Sequence, residues 1–239
     1  MSLRSRYKQH LINVFKLITI EVGAILLAFF LSLALVVTII KRIILSKTEW
    51  FDETVFSFLR KHVSNTATFV LNTITFLGSH YFLIPAFLVL LVHSYFIKRD
   101  KWLAIRIAAI SISSVLLMLS LKFIFQRPRP LLPLLNEARG LSFPSGHAFM
   151  SFSFFGLLIY IIYEEVKNVW LKWLIIFFIA CLILSIGLSR VYLRVHYASD
   201  VLAGFCVGLM WLLLSLWILK KIETFSSRKV DPVIEHTPP

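Results

Sequence analysis

The sequence predicts an all-α membrane protein: a six-transmembrane helix bundle with a candidate active site at the extracytoplasmic membrane surface. The first observation is composition, because 59% of the 239 residues are hydrophobic and the mean hydropathy is +0.84, whereas soluble domains are roughly half apolar. The second is a series of nearly charge-free stretches, each close to the length of about 20 residues that crosses a bilayer. The third is a set of three short polar clusters that fall at the ends of these stretches.

In order along the chain, the predicted spans lie near residues 17–40, 66–97, 102–121, 146–163, 169–188 and 201–219. The second stretch is too long for one straight helix, and we expect Gly78-Ser79 to divide it into an interfacial piece at 66–77 and a span at 80–97. Counting both pieces as spans would give seven, and six is the more economical number.

Outside the spans, the segment at about 49–77 includes Trp50–His62, which mixes aromatic and charged residues at helical spacing. We expect this segment to lie along the outer interface beside the candidate site. The domain prediction is one six-span domain at residues 1–222, followed by a polar, disordered tail at 223–239.

The distribution of basic residues favours a multi-pass protein of the plasma or inner membrane with both termini in the cytoplasm. Lysines and arginines are concentrated at the N-terminus, around residues 98–106 and after residue 219, and many cations predicted on the other side belong to the polar clusters. The positive-inside rule then places the clusters outside. The net charge of +13 does not indicate a nucleic-acid partner, because the cations flank spans, where they contact lipid headgroups.

The last polar cluster, Ser189 to Asp200, contains a candidate nucleophile. His196 and Asp200 are four residues apart, so on a helix they would share a face and hydrogen-bond. A carboxylate on one imidazole nitrogen leaves the other nitrogen free to attack. Arg190 and Arg194 precede this pair, and a guanidinium holds a phosphate through two hydrogen bonds. The alternative is that the histidine and aspartate only cap the last helix.

The middle cluster, Pro144 to His147, precedes a predicted helix at Ala148 to Tyr163. Backbone amides at a helix start form an anion site, and Gly146 lets the backbone approach the anion. His147, with an ordinary pKa of roughly 6.5, can give a proton to a leaving alkoxide near neutral pH. The alternative is a helix cap at Ser145 with an incidental histidine.

The first cluster, Lys122 to Pro130, lies at the outer end of the third span. Its two prolines remove amide donors and favour extended backbone, so Arg127 and Arg129 are expected on a stiff turn rather than on a helix. The alternative is that these cations only anchor the span among lipid headgroups.

Taken in order, K-x6-R-P, P-S-G-H and S-R-x5-H-x3-D resemble the signature of the type 2 phosphatidic acid phosphatase and haloperoxidase superfamily, in its membrane-integral branch. The resemblance implies a lipid phosphatase that works through a phosphohistidine. It implies that His196 attacks phosphorus, that Asp200 orients the His196 imidazole, and that His147 protonates the leaving oxygen. It also implies that the phosphoryl oxygens are held by Lys122, Arg129, Ser145, Gly146 and Arg190.

Several points stay open at this stage. We expect no metal and no cofactor, because the three clusters contain a single acidic residue, too few for a hard cation.

Candidate substrates are phosphatidic acid, phosphatidylglycerophosphate, phosphorylated lipid A and isoprenyl diphosphates such as undecaprenyl diphosphate. Surplus cations that could meet a second phosphate or a headgroup are Arg127, Arg139 and Arg194. A lipid-phosphate transporter or flippase, a phosphotransferase and an inactive scaffold are the alternatives, although the sequence lacks the internal repeat that favours a transporter.

Overall fold

A computed structural model describes residues 22–131, 133–134 and 140–234, without the side chains of 44, 45 and 227–234. The described part of the chain is mostly helical, and most connections between its helices are short. Its helices are α1 (Val22–Ile43), α2 (Trp50–Arg60), α3 (Asn65–Phe76), α4 (His80–Val92), α5 (Lys101–Phe125), α6 (Gly146–Glu165), α7 (Val169–Tyr192) and α8 (Ala198–Ile234). The π-helical stretch Ile40–Leu45 overlaps the end of α1, and the π-helical stretch His93–Ile97 extends α4.

Six segments of the described residues are long and apolar enough to cross a membrane, as predicted. They are Val22–Ile43, Asn65–Ile97, Lys101–Phe125, Gly146–Glu165, Val169–Tyr192 and Ala198–Ser226. The second is interrupted at residues 77–79, between α3 and α4, where Gly78-Ser79 was expected to break it. Residues 17–21 of the first predicted span lie outside the described residues.

Helix α6 lies at the centre of the bundle and packs against α5, α7 and α8. Its contact with α8 is close because α8 presents Gly204 and Gly208, four residues apart. A Cβ atom at Gly204 would lie 2.9 Å from the carbonyl oxygen of Ser145, and one at Gly208 would lie 3.0 Å from Cβ of Phe152. Small residues at this spacing let two helix backbones approach, which brings the starts of α6 and α8 together.

The boundaries of two elements differ from the sequence-based expectation. Helix α8 continues to Ile234, so residues 223–234, expected in a disordered tail, are helical, and residues 235–239 lie outside the described part. Extending an existing helix costs little because each added residue gains one hydrogen bond. His196 was expected on the last helix but precedes it, because α8 begins at Ala198.

Candidate active site

The three polar clusters meet at one end of the bundle, where α5 and α7 end and α6 and α8 begin. Backbone hydrogen bonds join them directly. The amide of Ser142 donates to the carbonyl of Arg127 (2.8 Å), and the amide of Ser145 donates to the carbonyl of Asp200 (3.0 Å). The amide of His196 donates to the carbonyl of Arg190 (3.2 Å). The loop segments are therefore held in a fixed arrangement before any side chain is considered.

The imidazole of His196 is 1% exposed, and its two nitrogens face different groups. Nε2 lies 3.3 Å from Nη1 of Arg129. Nδ1 lies 3.3 Å from the hydroxyl of Ser142 and 3.7 Å from Oδ2 of Asp200. Because a guanidinium only donates hydrogen bonds, the contact with Arg129 requires a lone pair on Nε2. The proton of the neutral ring then resides on Nδ1, facing Ser142 and Asp200.

Burial lowers the pKa of His196, hydrogen bonding to Asp200 opposes this effect, and the neighbouring Arg129 guanidinium adds to it, so that the pKa is about 4. The ordinary value is about 6.5. His196 is therefore neutral at physiological pH, with an unprotonated nitrogen available for attack.

The carboxylate of Asp200 is fully buried and is held on both oxygens. Oδ1 accepts a hydrogen bond from Nη1 of Arg127 (2.7 Å), while Oδ2 accepts from the Ser142 hydroxyl (2.5 Å) and the Tyr197 amide (3.1 Å). His196 reaches this carboxylate from the loop rather than from the same helical face. The loop turns tightly there because Arg194 adopts a left-handed backbone conformation (φ 53°).

Lys122 and Arg129, two predicted phosphate ligands, are each fixed by backbone carbonyls. Nζ of Lys122 donates to the carbonyl of Leu141 (2.6 Å). Arg129 donates from Nε to the carbonyl of Gly140 (3.0 Å) and from Nη1 to that of Val195 (2.7 Å). Burial lowers the pKa of Arg129, an effect that Asp200 partly opposes. Both side chains are thereby aimed at the cavity beside His196.

Arg190, at the end of α7, is 8% exposed and donates from Nη1 to the hydroxyl of Thr75 (2.8 Å). Within the described residues its Nε has no hydrogen-bond partner. A buried guanidinium with an unused donor suits an anionic ligand. Thr75 was not identified from the sequence, because it is one of four threonines on α3 and nothing in the sequence distinguishes it from the others.

The Pro144–His147 segment begins α6 as predicted. The Ser145 hydroxyl is buried and caps the helix by accepting from the amide of Ala148 (3.5 Å). A Cβ atom at Gly146 would lie 3.0 Å from Sδ of Met118, so a larger residue there would crowd α5. Gly146 and His147 both line a cavity together with Lys122, Arg129 and His196, whereas Ser145, Arg190 and Asp200 are not among its lining residues.

That cavity has a volume of about 480 Å³. At one end its lining is polar and includes Lys122, Arg129, Gly146, His147, His196 and, outside the predicted site, His80. The remainder is apolar and is lined mainly by α4 and α5, through Leu83, Ile84, Phe87, Leu88, Ile112, Val115 and Met118. Ile84 and Ile112 are 56% and 62% exposed on the bundle surface. The cavity thus joins a cationic end to the lipid-facing side of the bundle.

The surplus cations predicted from the sequence differ in their surroundings. Arg127 is 8% exposed and lies between two carboxylates, those of Asp52 and Asp200. Burial alone would lower the pKa of Arg127, but these carboxylates raise it above its ordinary value. Arg194 is half-buried in the turn before α8, and Arg139 lies outside the described residues.

Sequence reasoning also missed Asp52 and Ser142. Asp52 is buried on α2 and contacts Arg127 and Ser199. Its sequence signal was a carboxylate in register with the apolar residues Val55, Phe56 and Leu59, a position where an unpaired charge is costly. Ser142 stands two residues before Pro144 and has no comparable signal.

The chain is similar in sequence to known proteins. Residues 102–223 match the sequence model of the PAP2 superfamily. The chain is 32% identical over 161 residues to phosphatidylglycerophosphatase B of Bacillus subtilis (strain 168), covering 66% of this chain and 78% of the relative. It is 37% identical over 82 residues to bacitracin transport permease protein BcrC of Bacillus licheniformis, covering 34% of this chain and 36% of that protein.

The chain is also similar to solved structures. The crystal structure of a transmembrane PAP2-type phosphatidylglycerolphosphate phosphatase from Bacillus subtilis superposes with a TM-score of 0.70 at 26% identity, covering 83% of this chain and 96% of that one. Aquifex aeolicus LpxE superposes with a TM-score of 0.52 at 24% identity, covering 68% of this chain and 93% of that one; at this identity the likeness concerns the fold alone.

Proposed function

The chain belongs to the PAP2 superfamily as a membrane lipid phosphatase, and from that premise we propose that it hydrolyses a phosphomonoester lipid of the phosphatidylglycerophosphate type. The observation that carries the proposal is the cavity, which places five cationic or imidazole side chains at one end and apolar side chains of α4 and α5 along the rest. An amphiphile fits such a cavity, with its phosphate among the cations and its acyl chain against the apolar wall.

We infer that hydrolysis proceeds in two displacements at phosphorus. In the first, the Nε2 lone pair of His196 forms a bond to phosphorus while the bond from phosphorus to the lipid oxygen breaks. His147 donates a proton to the leaving lipid oxygen. In the second, water attacks the phosphohistidine as His147 takes a proton from it, the P–N bond breaks, and inorganic phosphate leaves with His196 regenerated.

The charges around His196 support both steps. On this proposal Lys122, Arg129 and Arg190 bind the phosphate, and preorganised cations of this kind stabilise the charge that builds up on the phosphoryl oxygens. The Nδ1 proton faces Ser142 and Asp200, so the positive charge that the ring acquires on attack lies beside a carboxylate. Independence from metal ions stays a prediction, to be tested with chelator.

The phosphomonoester is favoured by the longer of the two sequence matches, that with phosphatidylglycerophosphatase B. A lipid diphosphate such as undecaprenyl diphosphate is the second candidate, because His80 lines the cavity beyond His147 and could contact a second phosphate. Arg127 gives this candidate no support, since both its terminal nitrogens contact carboxylates. We further propose that the site faces the extracytoplasmic side, on the distribution of basic residues.

The test is phosphate release by the purified protein in detergent, with chelator present. Substrates would include phosphatidylglycerophosphate, phosphatidic acid and undecaprenyl diphosphate. We expect release that is fastest with phosphatidylglycerophosphate and is lost in His196→Ala. Release that persists in His196→Ala would overturn the mechanism, and a preference for the diphosphate would overturn the proposed substrate. Lipid loss without free phosphate would indicate transfer to another acceptor.

The side of the membrane can be tested in intact cells. In a variant with Cys181 and Cys206 replaced by alanine, single cysteines would be placed at Leu131, beside the site, and at Lys167, between α6 and α7 at the other end of the bundle. We expect a membrane-impermeant thiol reagent to label Leu131→Cys and to spare Lys167→Cys. The opposite pattern would reverse the proposed orientation.

A further inference from the structure

Asp52 is a carboxylate buried where a helix would ordinarily present apolar residues. It lies on α2 and is 1% exposed. Val55, Phe56 and Leu59 follow at three, four and seven residues and pack against α7 and α8, so Asp52 occupies the same face. Burying a carboxylate there is unfavourable unless it is paired and hydrogen-bonded, and its partners should therefore explain why it is present.

All the described partners of Asp52 lie in the site. Oδ1 accepts a hydrogen bond from the Ser199 amide (2.9 Å), in the first turn of α8. Oδ2 accepts from the Ser199 hydroxyl (2.7 Å) and from Nη2 of Arg127 (2.9 Å). A negative charge at a helix start is favourable. Asp52 thus connects α2 to the helix that carries Asp200 and to the turn that carries Arg129.

Arg127 continues the connection to the carboxylate beside the nucleophile. While Nη2 contacts Asp52, Nη1 donates to Oδ1 of Asp200 (2.7 Å) and to the Ser199 hydroxyl (2.8 Å). The guanidinium also lies over the ring of Tyr197, 3.8 Å from its centre. With its two ends and one face occupied, Arg127 has little freedom to move, and neither does the Asp200 oxygen that it contacts.

The charges matter as well as the geometry. Asp52, Arg127 and Asp200 together carry one net negative charge. Without Asp52, the remaining Arg127–Asp200 pair would be neutral, and its guanidinium would oppose the positive charge that His196 acquires on attack. With Asp52 present, the guanidinium is shared between two carboxylates, so Asp200 keeps more of its negative potential for the imidazole.

We propose that Asp52 and Arg127 are positioning residues for the nucleophile. They hold the Asp200 carboxylate against His196, and Asp52 supplies a second negative charge, so that Arg127 does not cancel the negative potential of Asp200 at the imidazole. The proposal rests on the proposed function, since it assigns these residues a role in the attack of His196 on phosphorus. A merely structural role, the attachment of α2 to the bundle, would affect folding and leave the catalytic step of folded protein unchanged.

The experiment compares Asp52→Asn with Glu53→Gln in steady-state kinetics and in the rate of phosphohistidine formation. Glu53 is the next residue on α2 and is exposed, so its variant removes the same charge without touching the site. We expect Asp52→Asn to lower kcat and phosphohistidine formation about tenfold, the scale on which removing an outer-shell carboxylate acts at other sites, with an unchanged KM. Glu53→Gln should match the wild type.

A second comparison tests whether Asp52 acts through Arg127. If it does, the double variant that combines Asp52→Asn with Arg127→Gln should be no slower than Arg127→Gln alone. If the two residues act independently, the two losses of rate should multiply. Folded Asp52→Asn with wild-type kcat, or multiplied effects in the double variant, would overturn the proposal.

Arg127→Lys covers the case in which Asp52→Asn does not fold, because lysine keeps the charge but not the two-ended contact. Here too a lower kcat at constant KM is expected, and a wild-type kcat would overturn the proposal. The outcomes distinguish the two proposals. A wild-type protein that is inactive on every lipid phosphate would overturn both the proposed function and this inference. An active wild type with an equally active Asp52→Asn would overturn only the inference.

Discussion

Nη1 of Arg129 lies 3.3 Å from Nε2 of His196 and, at the same time, 2.7 Å from the carbonyl oxygen of Val195. One guanidinium therefore contacts both the proposed nucleophilic nitrogen and the backbone of the residue that precedes it. The arrangement holds a cation beside the proposed nucleophilic nitrogen, where a phosphoryl oxygen would arrive.

Replacing Arg129 should therefore damage the chemical step. In Arg129→Gln the cation beside the phosphoryl oxygens is lost, and removing one preorganised donor of this kind costs about 10²–10³-fold in kcat. The measurement is kcat and KM on the preferred lipid phosphate. Arg60→Gln is the control, because Arg60 is exposed at the end of α2. An Arg129→Gln enzyme within about twofold of wild-type kcat would contradict the assignment.

The lowered pKa of His196, about 4, predicts that the nucleophile stays neutral in mild acid. At pH 5.5 an ordinary histidine, with a pKa of about 6.5, is mostly protonated, whereas His196 should remain deprotonated and lose its lone pair only as the pH falls through about 4. The measurement is an NMR titration of histidine-labelled protein in detergent, with the His196 signal assigned from its absence in His196→Gln. A titration midpoint near 6.5 would contradict the prediction.

Much of this site was predictable because its parts are local patterns in the sequence. The spans follow from hydropathy, the start of α6 follows from Ser145 and Gly146, and the breaks follow from Gly78 and from the prolines after Arg127. Such signals depend on residues close together in the chain, so one sequence suffices to find them.

The missed features depend on packing between distant segments. Asp52 meets Arg127 and Ser199, which are 75 and 147 residues away, and only the folded bundle brings them together. His196 was misplaced onto α8 for a related reason. The turn before it uses Arg194 in a left-handed conformation, and no glycine or proline marks that turn in the sequence.

The apolar wall of the cavity gives a prediction about substrate size. Val115 lines the cavity on α5, while the adjacent Leu116 is 60% exposed and does not line it. Overfilling an apolar site costs about 1–3 kcal/mol, so Val115→Trp should raise KM for a long-chain lipid phosphate about tenfold. A short-chain, water-soluble phosphate ester should be little affected. The same pattern in Leu116→Trp, or equal effects on both substrates, would argue against lipid binding along α5.

Gly78 gives a prediction about the break between α3 and α4. A Cβ atom there would lie 2.5 Å from Cγ2 of Ile186, 2.7 Å from the hydroxyl of Ser151 and 3.3 Å from Cδ2 of His147. Gly78→Ala should therefore displace the break, crowd His147 and cost about 1–3 kcal/mol of stability, with a loss of activity. Gly23→Ala is the control, because a Cβ atom at Gly23 meets nothing within 4 Å. Thermal unfolding in detergent and kcat test both; equal behaviour would contradict the packing argument.

Thr75 supplies the last prediction, through its hydrogen bond to Arg190. Thr75→Val keeps the shape of the side chain but removes the hydroxyl that accepts from Nη1 at 2.8 Å. A hydrogen bond to a charged group contributes about 1.5–3 kcal/mol, so kcat/KM should fall about 10–100-fold as Arg190 loses its fixed orientation towards the phosphate. Thr73→Val is the matched control on the same helix, because the Thr73 hydroxyl donates only to the carbonyl of Phe69 (3.0 Å). If both variants retain wild-type kcat/KM while Arg190→Ala is inactive, Arg190 needs no support from α3.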